Sequence, residues 1–524
     1  MTVTPTADRP STSTLALAGL ALLVLLGCTA WARPLMLPDE GRYVGVAWEM
    51  MRSGNWATPT LNGLPFFHKP PLFYWITAAA MSVFGVHEWA ARSAPLVGAW
   101  MASFGMFVFT WRWAGKQRAV QVGMVLLAQP LFFIGAQFAN LDMLVAGCIT
   151  VTILLAANAA LNHAAEQPYQ RSLLAAYAFA ALGMLAKGLI GFVLPGLVIV
   201  VWMVLGGRWR ALWALVSLPG ILLFGVIAAP WFVVMQQRFP QFLDYFFMEQ
   251  HFRRFTGGQF NNVQPWWFYV ALLMLFHSLW LPWIAQTLRP SRLATLRTDP
   301  LRLLMGVWVV VIVGFFSLPQ SKLVGYILPA LPPLAYLLCD AFACRQGGHG
   351  KAWVRWWYGA SALGLALSLS AIAYLTLYPV KSTRPLAQVL GAAKAPAEPV
   401  FMLDGYYYDV PFYARLRQAT AVVHDWQAPD IDHIDNWRKE LHDAARFASE
   451  TDRGPLILPG QWTDPACAAP ASWWIGPPDQ RAKLPFLARA QEMYQSHDVV
   501  LWRLDHGQDG VTQALGCEGG RRAP

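Results

Sequence analysis

The sequence predicts a polytopic α-helical membrane protein of about 11 to 13 transmembrane helices, followed by a C-terminal extracytoplasmic α/β domain. Three observations predict it. Hydrophobic residues fill 56% of the 524 positions and charged residues 13%, with a mean hydropathy of +0.38. A soluble domain carries about 25% charged residues, so roughly half the usual charge is missing. Apolar runs near membrane length recur through the first three quarters of the chain, and the 26 Trp residues suit membrane interfaces. Past Leu377 the long runs give way to short alternating segments.

A transmembrane helix needs about 20 mainly apolar residues. The runs that approach this are 15–31, 94–111, 119–135, 141–161, 173–186, 189–205, 211–235, 265–286, 303–318, 323–338 and 356–377. The run 73–86 is too short to span and lies beside polar motifs, so it reads as an interfacial helix. Leu25-Leu26-Gly27-Cys28 resembles a lipoprotein cleavage box. Only Arg9 is basic ahead of it and the apolar run continues through Trp31, which favours an uncleaved anchor.

Lys and Arg collect in the loops after the even-numbered spans: Arg112, Lys116 and Arg118, then Arg171, then Arg208 and Arg210. Arg289, Arg292, Arg297 and Arg302 follow, and then Arg345, Lys351 and Arg355. The positive-inside bias makes these loops cytoplasmic. The N-terminus is then cytoplasmic and the tail lies outside. Residues 1–380 are expected to form the spanning domain, with long outer loops over 33–92 and 236–264, and 381–524 the outer domain.

In the tail, "PVFMLDGYYYDV", "GPLILPGQW" and "HDVVLWRLD" read as strands, with helical character near 435–450. Cys28, Cys148, Cys339 and Cys344 lie in or beside apolar runs and read as small hydrophobes. Cys467 and Cys517 could pair in an outer tail. No zinc spacing occurs, and no motif supports nucleic acid as the partner of the +10 net charge. Basic cytoplasmic loops and anionic membrane lipids account for that charge instead.

With this topology the unusual polar clusters converge on the outer face. "LPDEGRY" (37–43) and "FFHKPPLFYW" (66–75) lie in the first outer loop, and "ANLDMLVAG" (139–147) opens the fourth span. "LAKGLIG" (185–191) and "SLPQSKLVGYILPALPP" (317–333) are outer turns, and "EQHFRRFTGG" (249–258) is in the second long loop.

Asp39 and Glu40 are candidate reaction carboxylates, and they read equally as a helix start with Arg42, Tyr43 and Glu49 on the helix surface. Asp142, at the lip of an apolar helix, is either a second functional carboxylate or a helix start. Lys69 is stiffened by Pro70 and Pro71 and suits a phosphate; alone it would read as a lysine snorkelling to headgroups. Arg42, Arg253, Arg254 and Lys322 are basic on the side that is normally poor in basic residues, and an anionic ligand explains them together. Lys187 is a second phosphate contact or a snorkelling residue. Tyr326 follows Lys322 by one helical turn, and otherwise reads as an aromatic-belt residue. His68 and His251 could share a divalent metal with a carboxylate, although no ligand spacing supports it.

The stretch "PDEGRYVGVAWEMMRSGNWATPTLNGLPFFHKPPLFYW" closely resembles the first outer loop of the bacterial 4-amino-4-deoxy-L-arabinose transferases acting on lipid A. These form a wider group with the protein O-mannosyltransferases, the GT-C type glycosyltransferases. "ANLDM", "LAKG", "YFFMEQHFRRFTGG" and "SLPQSKLVGYILPALPPLA" match in the family's order, and "YYYDVPFYARLRQ" looks similar in the tail. The resemblance covers about 37–333 and implies a polyprenyl-phosphate-linked sugar donor with transfer at the outer face of the bacterial inner membrane. It makes Asp39 the principal catalytic carboxylate. It gives Arg42, Lys69 and Tyr326 to the donor phosphate and places Asp142 in the cavity, with Glu40, Tyr43 and His68 as neighbours. Two departures bear on the substrate: His68, where the family often has Glu, and "SKLVGY", where "SKLPTY" is commoner.

The chemistry expected is direct displacement at the anomeric carbon with inversion. Lys69, Arg42 and the Tyr326 hydroxyl would stabilise the leaving phosphate. Asp39 would take the acceptor proton, or orient an acceptor phosphate that is already ionised. The acceptor expected is lipid A or a related envelope glycolipid. A protein O-mannosyltransferase-like enzyme is the alternative within the group. A lipid or sugar transporter is the alternative of another class; it would show paired repeats and midplane charges, and the sequence shows neither. A non-catalytic scaffold is the third.

Overall fold

The computed structural model describes residues 5–6, 8–253, 262–344, 351–448 and 454–517; of 251–253 only the backbone is described. These residues fall into two compact units. One is helical and takes Met1–Arg33, His68–Gly258 and Asn262–Tyr378. The other combines Pro34–Phe67 with Pro379–Pro524. The first half of the expected long outer loop thus clusters with the C-terminal segment, a grouping that no local pattern announces.

In the helical unit, six helices among the described residues are long and apolar enough to cross a membrane. They are Ser93–Ala114, Leu141–Ala164, Leu218–Arg238, Pro300–Ser317, Val324–Ala343 and Lys351–Leu377. A seventh candidate, Phe268–Phe276 with Ser278–Thr287, is bent by 72°. The other expected spans are shorter or broken. Gln129-Pro130 divides the run 119–135 into Lys116–Ala128 and Pro130–Gly135, because a proline has no N–H for the helical ladder. The run 211–235 begins as a 3₁₀ turn, Trp209–Leu215, and becomes helical only at Leu218. Leu72–Phe84, expected as an interfacial helix, has 13 residues. Leu17, Val226, Leu367 and Leu377 project unburied from their helices, as lipid-facing residues do.

Small residues let Ser93–Ala114 and Leu141–Ala164 pack backbone to backbone. A methyl group on Gly98 would lie 2.3 Å from the Met143 carbonyl oxygen, and one on Gly147 would lie 2.3 Å from that of Gly98. This close crossing buries most of Leu141–Ala164 and fixes the helix that carries Asp142.

The second unit is an α/β fold. Its six-stranded sheet has the order β5-β4-β3-β6-β8-β7, with β3 Val400–Leu403, β4 Ala421–Val423, β5 Leu456–Ile457, β6 Ala471–Gly476, β7 Gln491–Gln495 and β8 Val500–Asp505. The first four in spatial order run parallel, and β8 and β7 are antiparallel. The continuous burial of β3 and β6 marks a sheet covered on both faces. Phe401, Trp474, Trp502, Phe486 and Leu504 form the core on one side. The strands expected in the tail correspond to β3, β5 and β8, and the expected helix to Trp437–Ala445. "ASWWIG", which forms β6, alternates too little to read as a strand.

Pro34–Phe67 adds the helix Asp39–Ser53 and the hairpin of β1 Thr60–Leu61 and β2 Leu64–Pro65. Paired bonds seat it on the sheet domain. Asn62 donates through Nδ2 to the Thr420 carbonyl at 2.8 Å and accepts from the Thr420 N–H at 2.8 Å. Glu49 is buried, not on the helix surface. Its carboxylate accepts from the Thr60 hydroxyl and the Asn62 and Gly63 N–H groups, and burial raises its pKa against those bonds.

Cys467 and Cys517 form a disulfide that closes a separation of 50 residues. Replacing Cys467 with Ser is expected to cost this unit about 4 kcal/mol by the chain-entropy argument. Chemical denaturation of oxidised wild type against the variant measures it; equal midpoints would remove the disulfide from the stability of the unit.

Candidate functional site

The candidate residues gather in two clusters, one in each unit. In the sheet-containing unit, Pro38 precedes the helix Asp39–Ser53, so Asp39 and Glu40 occupy its first turn, where carboxylates are favoured. Their fates differ. Glu40 is fully buried and accepts from the Met36 N–H at 2.9 Å, which is a helix-entry role. The Asp39 side chain keeps 37% exposure.

Arg42, one turn on, forms ion pairs with Asp39 Oδ1 and with Glu440 Oε1, and its guanidinium lies 4.8 Å from the centre of the Tyr43 ring. The Tyr408 hydroxyl donates to the other Glu440 oxygen. Burial works against the Arg42 charge; Glu440, Tyr43 and Asp39 outweigh it and hold the guanidinium well above its ordinary pKa. The cluster therefore presents a permanently charged, oriented arginine beside one accessible carboxylate. Glu440 and Tyr408 were not candidates in the sequence. Glu440 sits in "NWRKELHD", which reads as a solvated helix, and Tyr408 carries only the weak signal of "YYYD".

In the helical unit, Asn140 caps Leu141–Ala164 by accepting from the Asp142 N–H at 3.0 Å, and its Nδ2 donates to Asp142 Oδ2 at 3.3 Å. Asp142 is thus both a helix-start residue and a buried charge. It is ion-paired with Lys187, from the last turn of Gln170–Lys187, and the two side chains keep 8% and 11% exposure. Lys187 Nζ lies 4.3 Å from the centre of the Tyr326 ring. The structure brings Asp142, Lys187 and Tyr326 together from three separate motifs.

Tyr326 and Lys322 do not share a helical turn, because Val324–Ala330 is a 3₁₀ helix that begins after Lys322. Lys322 is 4% exposed and donates to the carbonyls of Gln264 and Pro319. Its ammonium braces the turn. Gly325 touches the carboxylate: a methyl group there would lie 2.1 Å from Asp142 Oδ2. Substituting Ala for Gly325 is expected to displace Asp142 and lower activity by about 100-fold with folding retained, as misplacement near 1 Å does. Turnover and melting temperature measured together test this; a wild-type rate would show that the Asp142 position does not matter.

Lys69 lies half-buried in the irregular segment that Pro70 and Pro71 impose before Leu72–Phe84. His68 is buried, its ring 6.1 Å from that of Tyr245. His251 and Arg253 end the helix Asp244–Arg253 with side chains outside the described residues, and Arg254 lies outside them altogether. The metal expectation on His68 and His251 therefore falls partly outside as well. Among the described residues, Asp432, His442 and Asp443 form the one group with metal-like spacing. Arg446 pairs with Asp432 at 2.7 Å and Lys439 with Asp443 at 3.0 Å, which makes that group a salt-bridge network.

Comparison with known proteins adds a family context. Residues 68–234 match the family model described as dolichyl-phosphate-mannose-protein mannosyltransferase. Over 383 residues the chain is 30% identical to the undecaprenyl phosphate-alpha-4-amino-4-deoxy-L-arabinose arabinosyl transferase 2 of Pseudomonas fluorescens (strain Pf0-1), covering 70% of this chain and 65% of that relative. Over 352 residues it is 31% identical to the corresponding transferase of Pseudomonas paraeruginosa, covering 66% of this chain and 62% of that one. The match thus spans somewhat less than two thirds of these relatives' own length. The fold is that of the crystal structure of ArnT from Cupriavidus metallidurans bound to undecaprenyl phosphate, with a TM-score of 0.79, 23% identity, and 95% of this chain and 99% of that chain covered.

Proposed function

We propose that this chain belongs to the aminoarabinose-transferase-like family of GT-C membrane proteins and that it moves a sugar from an undecaprenyl-phosphate donor to lipid A or a related envelope glycolipid. The enzyme resides in the bacterial inner membrane with its N-terminus in the cytoplasm. Residues 381–524 are periplasmic, and transfer takes place on that side.

The observation that carries the reading is the Asp39–Arg42 pair. One accessible carboxylate and one arginine that cannot lose its charge stand on the first turn of one helix. A lipid-phosphate leaving group gains negative charge as the anomeric bond breaks. The family resemblance gives Arg42, Lys69 and Tyr326 to that charge, two cations and a hydroxyl donor. Asp39 accepts the proton of an acceptor hydroxyl as the new bond forms. With a phosphate acceptor, already ionised near neutral pH, it orients the nucleophile instead. In-line attack opposite the leaving phosphate inverts the anomeric centre. Asp142 is ion-paired with Lys187 beside Tyr326, and we assign this triad to the donor side.

Purified protein in lipid, given a panel of undecaprenyl-phosphate sugars and extracted envelope acceptors, tests the reading by product mass. A sugar-sized gain on a lipid A acceptor, absent in Asp39→Ala and Lys69→Ala, is the expected result. Gain on a peptide would favour the protein mannosyltransferase reading, which the match over 68–234 supports. A retained anomeric configuration would overturn direct displacement. Donor movement across the bilayer without transfer would favour a transporter.

A further inference from the structure

The sheet of the second unit has a feature that the transfer reaction does not use. β3 is paired with β4 on one side and β6 on the other, both parallel. The chain passes from β3 outward to β4 and β5, then returns across β3 to build β6. The order therefore reverses between β3 and β6, and in open α/β sheets ligands bind outside the carboxyl ends of the strands at such a reversal.

Three loops deliver polar side chains to this edge. Asp404 follows the last residue of β3 with φ +46°, a left-handed conformation that Asp tolerates. His424 follows β4, and its Nδ1 meets Asp404 Oδ1 at 3.1 Å. Gln480, buried at the start of the short helix that follows the loop after β6, donates from Nε2 to Asp404 Oδ2 at 2.8 Å. The Asp404 side chain nevertheless keeps 48% exposure, so the carboxylate has been oriented without being covered. His424 Nε2 is buried, so the imidazole serves to fix Asp404 through Nδ1 and leaves the carboxylate as the accessible polar group.

Aromatic surface frames the polar group. The Trp426 and Trp437 rings stand 5.7 and 5.3 Å from that of His424 and 90° to one another. Trp426 spends its indole N–H on the Val422 carbonyl at 3.1 Å, which fixes the ring. A nucleotide does not suit this edge. Asp404, Asp425 and Asp479 are exposed acids in these loops and repel phosphate, and Lys483 is already paired with Asp479 at 2.8 Å. The helix Gln480–Lys483 after β6 has four residues and no glycine-rich entry. A fixed carboxylate, an imidazole and indole rings instead suit a ring of hydroxyls with one apolar face.

We propose that the carboxyl edge of this sheet, at Asp404, His424 and Trp426, is a saccharide-binding site for a neutral or amino pyranose. Two hydroxyls donate to Asp404 and the sugar face packs on Trp426. This assigns binding and no reaction, so it stands whichever sugar is transferred.

The test uses the full chain in phospholipid nanodiscs, titrated with glucose and with glucosamine, with binding followed by saturation-transfer NMR and calorimetry. Wild type is expected to bind at least one of them saturably. Asp404→Asn, which preserves shape, and Trp426→Ala are each expected to weaken it by about 10-fold or more, the loss of one charge-assisted hydrogen bond or one packed face. Asp39→Ala is expected to bind as wild type does. Absence of saturable binding by folded wild type overturns the proposal, and so does equal binding by wild type and Asp404→Asn. Binding lost in Asp39→Ala but kept in Asp404→Asn assigns the sugar to the transfer site and overturns it too. Should Trp426→Ala fail to fold, Asp404→Asn decides alone.

Discussion

Replacing Asp39 with Asn is expected to lower sugar transfer by about 100- to 10,000-fold while the protein stays folded. The size follows from the proton. If Asp39 receives the acceptor hydroxyl proton in the transition state, the amide offers no basic lone pair to take it. Folding should survive because the side chain is partly exposed and Arg42 keeps Glu440 as its second carboxylate. A melting temperature close to wild type with the rate lost would place the carboxylate in the chemistry. Wild-type turnover by Asp39→Asn would remove the general-base role and leave orientation of an ionised acceptor as the function of this residue.

Replacing Asp142 with Ala is expected to act on stability and activity together. Lys187 would remain buried with its partner gone, and stripping one member from a buried ion pair costs about 3–5 kcal/mol. The double variant Asp142→Ala with Lys187→Met removes both charges and should recover most of that stability without recovering transfer. Thermal unfolding of wild type, both single variants and the double variant forms a complete cycle. If Asp142→Ala melts like wild type, the pair contributes nothing to the fold. If the double variant transfers sugar at the wild-type rate, the Asp142–Lys187–Tyr326 triad has no part in the reaction.

The two expectations differ because the two carboxylates were legible to different degrees. Asp39 lies in a long motif with Arg42 at helical spacing, and the helix Asp39–Ser53 keeps that spacing. Asp142 was visible as a charge at the lip of an apolar run, but its partner was not. Lys187 is 45 residues away, and its alternative reading as a snorkelling lysine used the same residues. Lys322 shows the opposite error. Four residues from Tyr326, it invited pairing on an α-helical turn, yet Pro329 and the surrounding glycine and proline favour a 3₁₀ turn, and two backbone carbonyls claim the ammonium. Local spacing predicts neighbours only where the helix type is known.

By itself the sequence determined the membrane class, the α/β tail, half of the strands in it and the motif that holds Asp39, Arg42 and Lys69. Each of these rests on short-range physics: apolar run length, alternation, and the stiffness of proline. Tertiary structure alone decided that Pro34–Phe67 belongs with the tail, that Glu440 and Tyr408 hold Arg42, and that Glu40 and Glu49 are buried with backbone N–H groups on their carboxylates. Those outcomes depend on which distant carboxylate reaches a guanidinium first and which acid finds backbone N–H groups to replace water. A buried charge must be paired or hydrogen-bonded wherever the chain can supply the partner, and the partner's place in the sequence does not enter that requirement.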